Sequence, residues 1–177
     1  MIGILLSGGV DSACLMGLAR HRGLDFCAIY INWHQPSYFF EDIASDNIAA
    51  YYNVKRHALW FPSAELKKPM QTGAGVSGPR FVRARNMLFL SMAATIPELT
   101  ELWYGACKDD WEDYSDCTPE FVAKANAAME VYGIKVTAPL LMMDKEAIRE
   151  VSRDLQVPLH LAWSCYEPRQ GQACGTC

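Results

Sequence analysis

Apolar residues fall into five short runs, and stretches with helical spacing alternate with them. Ile2–Leu6 is the first run; Val10, Cys14, Leu15 and Leu18 then share one helical face. Phe26–Ile31, rich in β-branched and aromatic residues, reads as a second strand. A helix is expected over Glu41–Tyr52 and a third strand over Val54–Phe61. Pro62–Pro79, with three glycines and three prolines, breaks the pattern and reads as a long loop. Asn86–Thr95 is apolar enough for a helix buried on most sides, and Leu99–Tyr104 reads as a fourth strand. Thr118, Pro119 and Glu120 form a helix-start signal, and Gly133 ends that helix. Ile134–Thr137 makes a fifth strand, and Asp144 caps a helix that turns Ile148, Val151 and Leu155 inward. The alternation implies an α/β fold: a doubly wound, mostly parallel five-stranded sheet with helices on both faces. Residues 1–157 would form this domain. Residues 158–177 read as a small appendage tied down by something other than a large core.

Composition narrows the function classes. The chain has 177 residues, 51% apolar and 20% charged, as a single globular domain has. Sixteen Lys and Arg against 20 Asp and Glu leave a net charge of −4, which argues against direct nucleic-acid binding. Lys67, Lys68, Arg80, Arg83 and Arg85 form one local basic stretch. No apolar run reaches the ~18–20 residues that span a bilayer, so no membrane partner is expected. The N-terminus lacks a basic n-region, and a cytoplasmic location is expected. The seven cysteines would then be thiols or metal ligands.

Ser7-Gly8-Gly9-Val10-Asp11-Ser12 lies between the first strand and the first helix. Paired glycines let the backbone turn sharply and approach a ligand closely. With the helix N-terminus and the Ser7 and Ser12 hydroxyls, they make an anion cradle suited to a phosphate. A bare Gly-Gly would favour an ordinary turn; the Asp-Ser extension at a strand's carboxyl end favours a nucleotide. Asp11 is suited to magnesium, which prefers carboxylate and phosphate oxygens. This stretch resembles the PP-loop of N-type ATP pyrophosphatases, which cleave ATP between the α and β phosphates. It lacks the lysine-bearing pattern of kinases and GTPases.

Cys165-x8-Cys174-x2-Cys177 offers a thiolate set that favours zinc over a redox dithiol, one ligand short of the usual four. Gly105–Phe121 is acidic and aromatic, suited to a polar aromatic small molecule, though an acidic loop is more often simply solvated. Arg83-Ala84-Arg85-Asn86 opens a helix, where a guanidinium can hold a carboxylate or phosphate, or merely form a surface charge pair.

Taken in order, these motifs resemble the 7-cyano-7-deazaguanine synthase (QueC) family. They run from the Ser-Gly-Gly loop through Arg85-Asn86 and the acidic Gly105–Phe121 stretch. Pro139-Leu140 with Lys145 and Ile148, then Trp163-Ser164-Cys165-Tyr166 and the cysteine tail, complete the series. The resemblance implies a PP-loop (HUP-like) fold and a ligase. That enzyme converts 7-carboxy-7-deazaguanine, ammonia and ATP into the 7-cyano base through an acyl-adenylate and an amide. It implies ATP with Mg2+ held by Ser7, Gly8, Gly9, Asp11, Ser12, Asn86 and Gly105, with Asp11, Arg85 and Lys145 catalytic. Gln35, Asp110, Tyr114 and Asp116 would meet the deazapurine, with Tyr114 or Trp111 stacking on it. Structural Zn2+ would sit on Cys165, Cys174 and Cys177, and the chain would be a homodimer. Departures fall on the acceptor side: only Gln35 remains of a usual Gly-Gln-Arg-His, Cys107 replaces Asn or His, Ser115 replaces Pro, and Thr118 replaces Arg. An enzyme that stops at the amide or passes the acyl group to another amine fits those departures, as does a different PP-loop tRNA-modifying enzyme. A catalytically idle binding partner is a third class.

Overall fold

A computed structural model describes residues 1–61 and 82–175. The expected Pro62–Pro79 loop, most of the basic stretch and Cys177 lie outside the described residues.

Among the described residues five strands form: β1 (Ile2–Leu5), β2 (Phe26–Asn32), β3 (Arg56–Trp60), β4 (Glu101–Trp103) and β5 (Lys135–Thr137). They form one sheet in the order β3-β2-β1-β4-β5, every pair parallel. The helices are α1 (Val10–His21), α2 (Tyr38–Tyr51), α3 (Arg85–Ala93), α4 (Pro119–Glu130) and α5 (Lys145–Asp154).

Strand alternation sorts the core into two layers. Ile4, Leu6, Phe26, Ala28 and Trp103 face α1, α2 and α5, packing with Leu15, Ile48 and Ile148. Cys27, Ile29, Ile31, Leu102 and Val136 face α3 and α4, packing with Leu90, Ala93, Ala125 and Met129. Connections from β1 go outward one way to β2 and β3, whereas β4 and β5 lie on the other side of β1. The order therefore reverses between β1 and β4, and their carboxyl ends open a crevice there, where doubly wound sheets bind ligands.

The helix starts follow their caps. Thr118 Oγ1 accepts the Phe121 N–H at 3.3 Å, and Asp144 Oδ1 accepts the Ala147 N–H at 2.8 Å. The helix expected to reach Gly133 stops at Glu130, and Gly133 makes the left-handed turn after it at φ +71. One expectation changes. α3 was expected to be buried on most sides, yet only Leu90 and Ala93 are fully buried. It lies on one face of the sheet, so its other sides remain at the rim, where Met87, Phe89 and Met92 are only partly covered.

Candidate active site

β1 hands the chain to α1 through Ser7-Gly8-Gly9. Gly8 sits at φ +87, a left-handed conformation that glycine adopts without penalty. A side chain there would also strike α2, with a Cβ 2.8 Å from the Glu41 carbonyl oxygen and 2.9 Å from Ala44 Cβ. Gly9 is the N-cap and gives α1 no side-chain cap. The first-turn amides thus lack an intrahelical acceptor and carry the positive end of the helix dipole. The two serines frame this opening: Ser12 Oγ donates to the Gly9 carbonyl at 2.9 Å and lies 3.2 Å from Ser7 Oγ. Gly105, leaving β4, faces it, and a Cβ at 105 would sit 3.4 Å from Asp11 Cβ and 3.5 Å from Ser12 N. A side chain larger than methyl at 105 would cover the helix end.

Beside the loop lies a charged cluster. Lys145, the first residue of α5, places Nζ 2.7 Å from Asp11 Oδ2 and 3.5 Å from Asp110 Oδ1. Its own N–H donates to Asp109 Oδ2 at 2.9 Å, which ties α5 to the turn after β4. Burial alone would lower the Lys145 pKa; the Asp11 hydrogen bond and the charges of Asp11 and Asp110 overcome it and raise it. The ammonium is therefore a permanent cation here, not a proton acceptor. Cys107 Sγ donates to Asp110 Oδ2 at 3.3 Å. Burial pushes its thiol up to about 11, so it stays protonated at neutral pH. One ligand atom each from Asp11, Cys107 and Asp110 falls within 4.8 Å of the others. The two carboxylates of that set are hard oxygen donors that fit magnesium.

The opposite wall comes from α2, α3 and the turn before α4. Ala84, at φ +59, swings the chain into α3 so that Arg85 and Asn86 open it. The Asn86 N–H donates to Asp116 Oδ2 at 3.4 Å, and its amide donates to the Asp116 carbonyl, also at 3.4 Å. The Tyr104 hydroxyl donates to that same carbonyl at 3.3 Å. Asp116 is 6% exposed, and burial raises its pKa against the pull of Arg85 and Asn86. The Arg85 guanidinium lies 5.7 Å from the Trp33 ring, and its Nε is buried without a hydrogen bond. Among the described residues Arg85 forms no ion pair within 4 Å and is half-buried, whereas Arg83 is exposed.

Gln35 is buried, with Nε2 donating to Glu41 Oε2 at 2.6 Å and Oε1 accepting from Trp33 N at 3.1 Å. Glu41 also accepts from Ser37 Oγ. Burial raises the Glu41 pKa, while Ser37, Gln35 and the Arg85 charge oppose the rise. Tyr166 is 53% exposed overall; desolvation around its hydroxyl raises its pKa, against the Arg85 and Lys145 charges. The structure thus brings Asp11, Lys145, Asp110 and Gly105 together on one side. Arg85, Asn86, Asp116 and Gln35 gather on the other.

Sequence reasoning missed Glu41 and Tyr166 as members of this wall. A carboxylate in the first turn of a helix whose N-cap is Ser37 was a signal for Glu41. Tyr166 belongs to the Trp163-Ser164-Cys165-Tyr166 motif, but it arrives from the far end of the chain, and nothing local sets it beside Arg85 and Glu41.

In the C-terminal segment Cys165 is buried, and its Sγ accepts the Cys174 N–H at 3.1 Å. Backbone N–H donation to sulfur favours a thiolate, which suits a metal ligand. Cys177, the third cysteine of the expected set, lies outside the described residues.

Comparisons with known proteins bear on the family and the fold. The family model for the queuosine biosynthesis protein QueC matches residues 2–177. A 7-cyano-7-deazaguanine synthase of Novosphingobium aromaticivorans is 34% identical over 198 residues, covering 98% of this chain and 84% of that protein. One from Coxiella burnetii is 32% identical over 197 residues, covering 98% and 87%. Among solved structures, a predicted subunit of tRNA methyltransferase from Methanocaldococcus jannaschii superposes with TM-score 0.64 at 19% identity, covering 86% of this chain and 73% of that one. NMN synthetase from Francisella tularensis gives 0.60 at 18%, covering 98% and 69%. These structures share the fold. The sequence matches run essentially end to end, and the chain belongs to the QueC family of queuosine biosynthesis proteins.

Proposed function

We propose that this chain is an ATP-dependent ligase that makes 7-cyano-7-deazaguanine from 7-carboxy-7-deazaguanine and ammonia. One observation carries the reading. The uncapped α1 terminus with its Ser-Gly-Gly approach, and the Lys145–Asp11–Asp110 cluster, meet at the β1/β4 crevice, opposite a wall of buried amide, guanidinium and carboxyl groups. Phosphates and a polar planar base need those two environments side by side.

In this reading Ser7, Gly8, Gly9, Ser12 and the first-turn amides hold the phosphates, with Gly105 keeping the approach open and Asn86 bordering it. Magnesium entering with ATP would be met by the carboxylates of Asp11 and Asp110, and would neutralise phosphate charge. Lys145 and Arg85 stabilise charge that develops on the α-phosphate as the acid's carboxylate displaces pyrophosphate from it. Ammonia then displaces AMP to give the amide. The amide oxygen displaces pyrophosphate from a second ATP, and loss of AMP together with the two amide protons leaves the nitrile. Gln35 and Asp116 hydrogen-bond the guanine-like edge, and Tyr114 or Trp111 stacks on the ring; Asp110 lies with Asp11 and Lys145 and serves the phosphate side. Asp116 fits this task because it is buried and held by Asn86.

Residues 1–157 act as the ATP-pyrophosphatase domain and residues 158–177 as the zinc-binding segment, with Cys165, Cys174 and Cys177 as ligands. Zinc would contribute structure to that segment. No described helix is long and apolar enough to cross a membrane. A cytoplasmic, thiol-preserving setting would keep the buried Cys14, Cys27, Cys107 and Cys117 reduced. A homodimer follows from the family resemblance. Trp103 and Tyr104 are buried within the chain and cannot serve such an interface, whereas Trp60 is 59% exposed.

The test is a purified-protein assay with ATP and 7-carboxy-7-deazaguanine, with and without ammonia, following AMP, pyrophosphate and the mass of the base. Pyrophosphate release and a nitrile product support the reading. Pyrophosphate without nitrile would point to a different acceptor or an arrested amide, and no turnover to an idle binding protein.

A further inference from the structure

Trp163 lies outside the groups assigned to ATP and base, yet it is bonded to the loop between β1 and α1. Its backbone N–H donates to the Gly8 carbonyl at 2.8 Å. A peptide unit is planar and trans, so the Gly8 carbonyl and the Gly9 N–H point in opposite directions from one rigid plane. Holding the carbonyl toward Trp163 therefore holds the Gly9 N–H toward Ser7 Oγ, 3.3 Å away, on the exposed side of the loop. Two adjacent glycines resist a peptide flip less than any other pair. A flip here would turn a carbonyl oxygen toward the place where an anion is to sit.

Trp163 is itself anchored twice. Its ring stacks on Phe40 of α2, with centroids 4.3 Å apart and 13° between planes. Its indole N–H donates to the Cys165 carbonyl at 2.7 Å. Through Cys165, whose sulfur accepts the Cys174 N–H, the anchor continues into the cysteine-bearing tail.

We propose that Trp163 is a positioning residue. It fixes the Gly8–Gly9 peptide in the orientation that offers amides to the phosphates of ATP, and it makes that orientation depend on the fold of the tail. The inference rests on reading the loop as a phosphate cradle, and the experiment separates the two.

Full-length wild type, Trp163→Phe, Trp163→Ala and Phe40→Leu are prepared with 15N-glycine. Pyrophosphate release is measured against ATP concentration, and the Gly9 amide signal is recorded without ligand. Alanine keeps the backbone N–H but loses the ring stack and the indole bond to Cys165 that hold it against Gly8, so in Trp163→Ala KM for ATP rises about tenfold while kcat stays within about threefold. The Gly9 signal doubles or broadens. Trp163→Phe, which keeps the stack, recovers most of the KM and a single Gly9 signal. If Trp163→Ala does not fold, Phe40→Leu removes the same stack from the other side and must raise KM in the same direction. A lowered melting temperature with unchanged KM and an unchanged Gly9 signal overturns the positioning role alone. Wild-type protein that binds no ATP instead removes the cradle reading on which the role depends.

Discussion

Replacing Lys145 by Met keeps the aliphatic stem and deletes one ammonium. In the native chain that group sits between Asp11 and Asp110, 2.7 Å and 3.5 Å from their oxygens. Without it, two carboxylates with oxygens inside 4.8 Å face each other unscreened. Unit charges at that separation repel by about 3.5 kcal/mol at an effective dielectric of ~20, and by about 0.9 kcal/mol at ~80. The Asp11 and Asp110 side chains are 25% and 23% exposed, so solvent reaches both. The lower part of the range, about 1–2 kcal/mol, therefore applies. A divalent cation relieves that repulsion directly. The Lys145→Met chain should bind Mn2+ in the absence of nucleotide about 5–30-fold more tightly than wild type, the factor corresponding to that energy. Its pyrophosphate release should fall about 10²–10³-fold at saturating substrates, the usual cost of removing one preorganised charge-stabilising group. Titration of Mn2+ by electron paramagnetic resonance reads the first effect and a coupled pyrophosphate assay the second. Unchanged Mn2+ affinity together with unchanged kcat would refute both the electrostatic coupling and the catalytic role.

Three further outcomes follow from the same geometry. Gly8→Ala combines left-handed strain of about 1–2 kcal/mol with overpacking against α2 of about 1–3 kcal/mol, so the melting temperature should drop by about 5–15 °C; a fall under about 2 °C contradicts the packing argument. Burial holds the Glu41 carboxyl above its ordinary value of 4.5, so the folded chain binds its proton more tightly than the unfolded chain. Stability then declines as pH rises from below 4.5 through the raised value, and Glu41→Gln should melt above wild type at neutral pH but level with it below the ordinary carboxylate range; thermal melts across that range showing the reverse order would count against it. Freshly prepared, unchelated protein should carry about one zinc per chain and Cys165→Ser should lose it, as elemental analysis would reveal.

Much of the fold was legible because its signals are local. Thr118-Pro119 and Asp144 announce their helices through side chains that cap within three residues, and the strand pattern follows from alternation alone. The Ser7–Ser12 loop was legible for the same reason: its chemistry sits in six consecutive residues. The wall opposite it was only half legible. Arg85 and Asp116 stand out as charges in otherwise apolar or structured contexts, but Glu41 is one carboxylate among several on a polar helix face. Only its burial against Gln35 and Ser37 separates it from Asp42 and Asp46, which pair with Arg56 instead. Trp163 was legible as part of a motif, but its contact with Gly8 was not, because the bond is made by its backbone across more than 150 positions of chain. The overestimated burial of α3 has the same origin. Apolar content says that a helix packs, and only the sheet edge beneath it says on how many sides.

The central claim is that the acid's own oxygen attacks the α-phosphorus of ATP in this crevice. It is tested most directly by supplying 7-carboxy-7-deazaguanine with both carboxyl oxygens replaced by oxygen-18, together with ATP and ammonia, and weighing the AMP. Each AMP released should carry one heavy oxygen, the first from adenylation of the acid and the second from activation of the amide, leaving an oxygen-free nitrile. AMP without label, with the heavy oxygen recovered in pyrophosphate or retained on the base, would contradict the account.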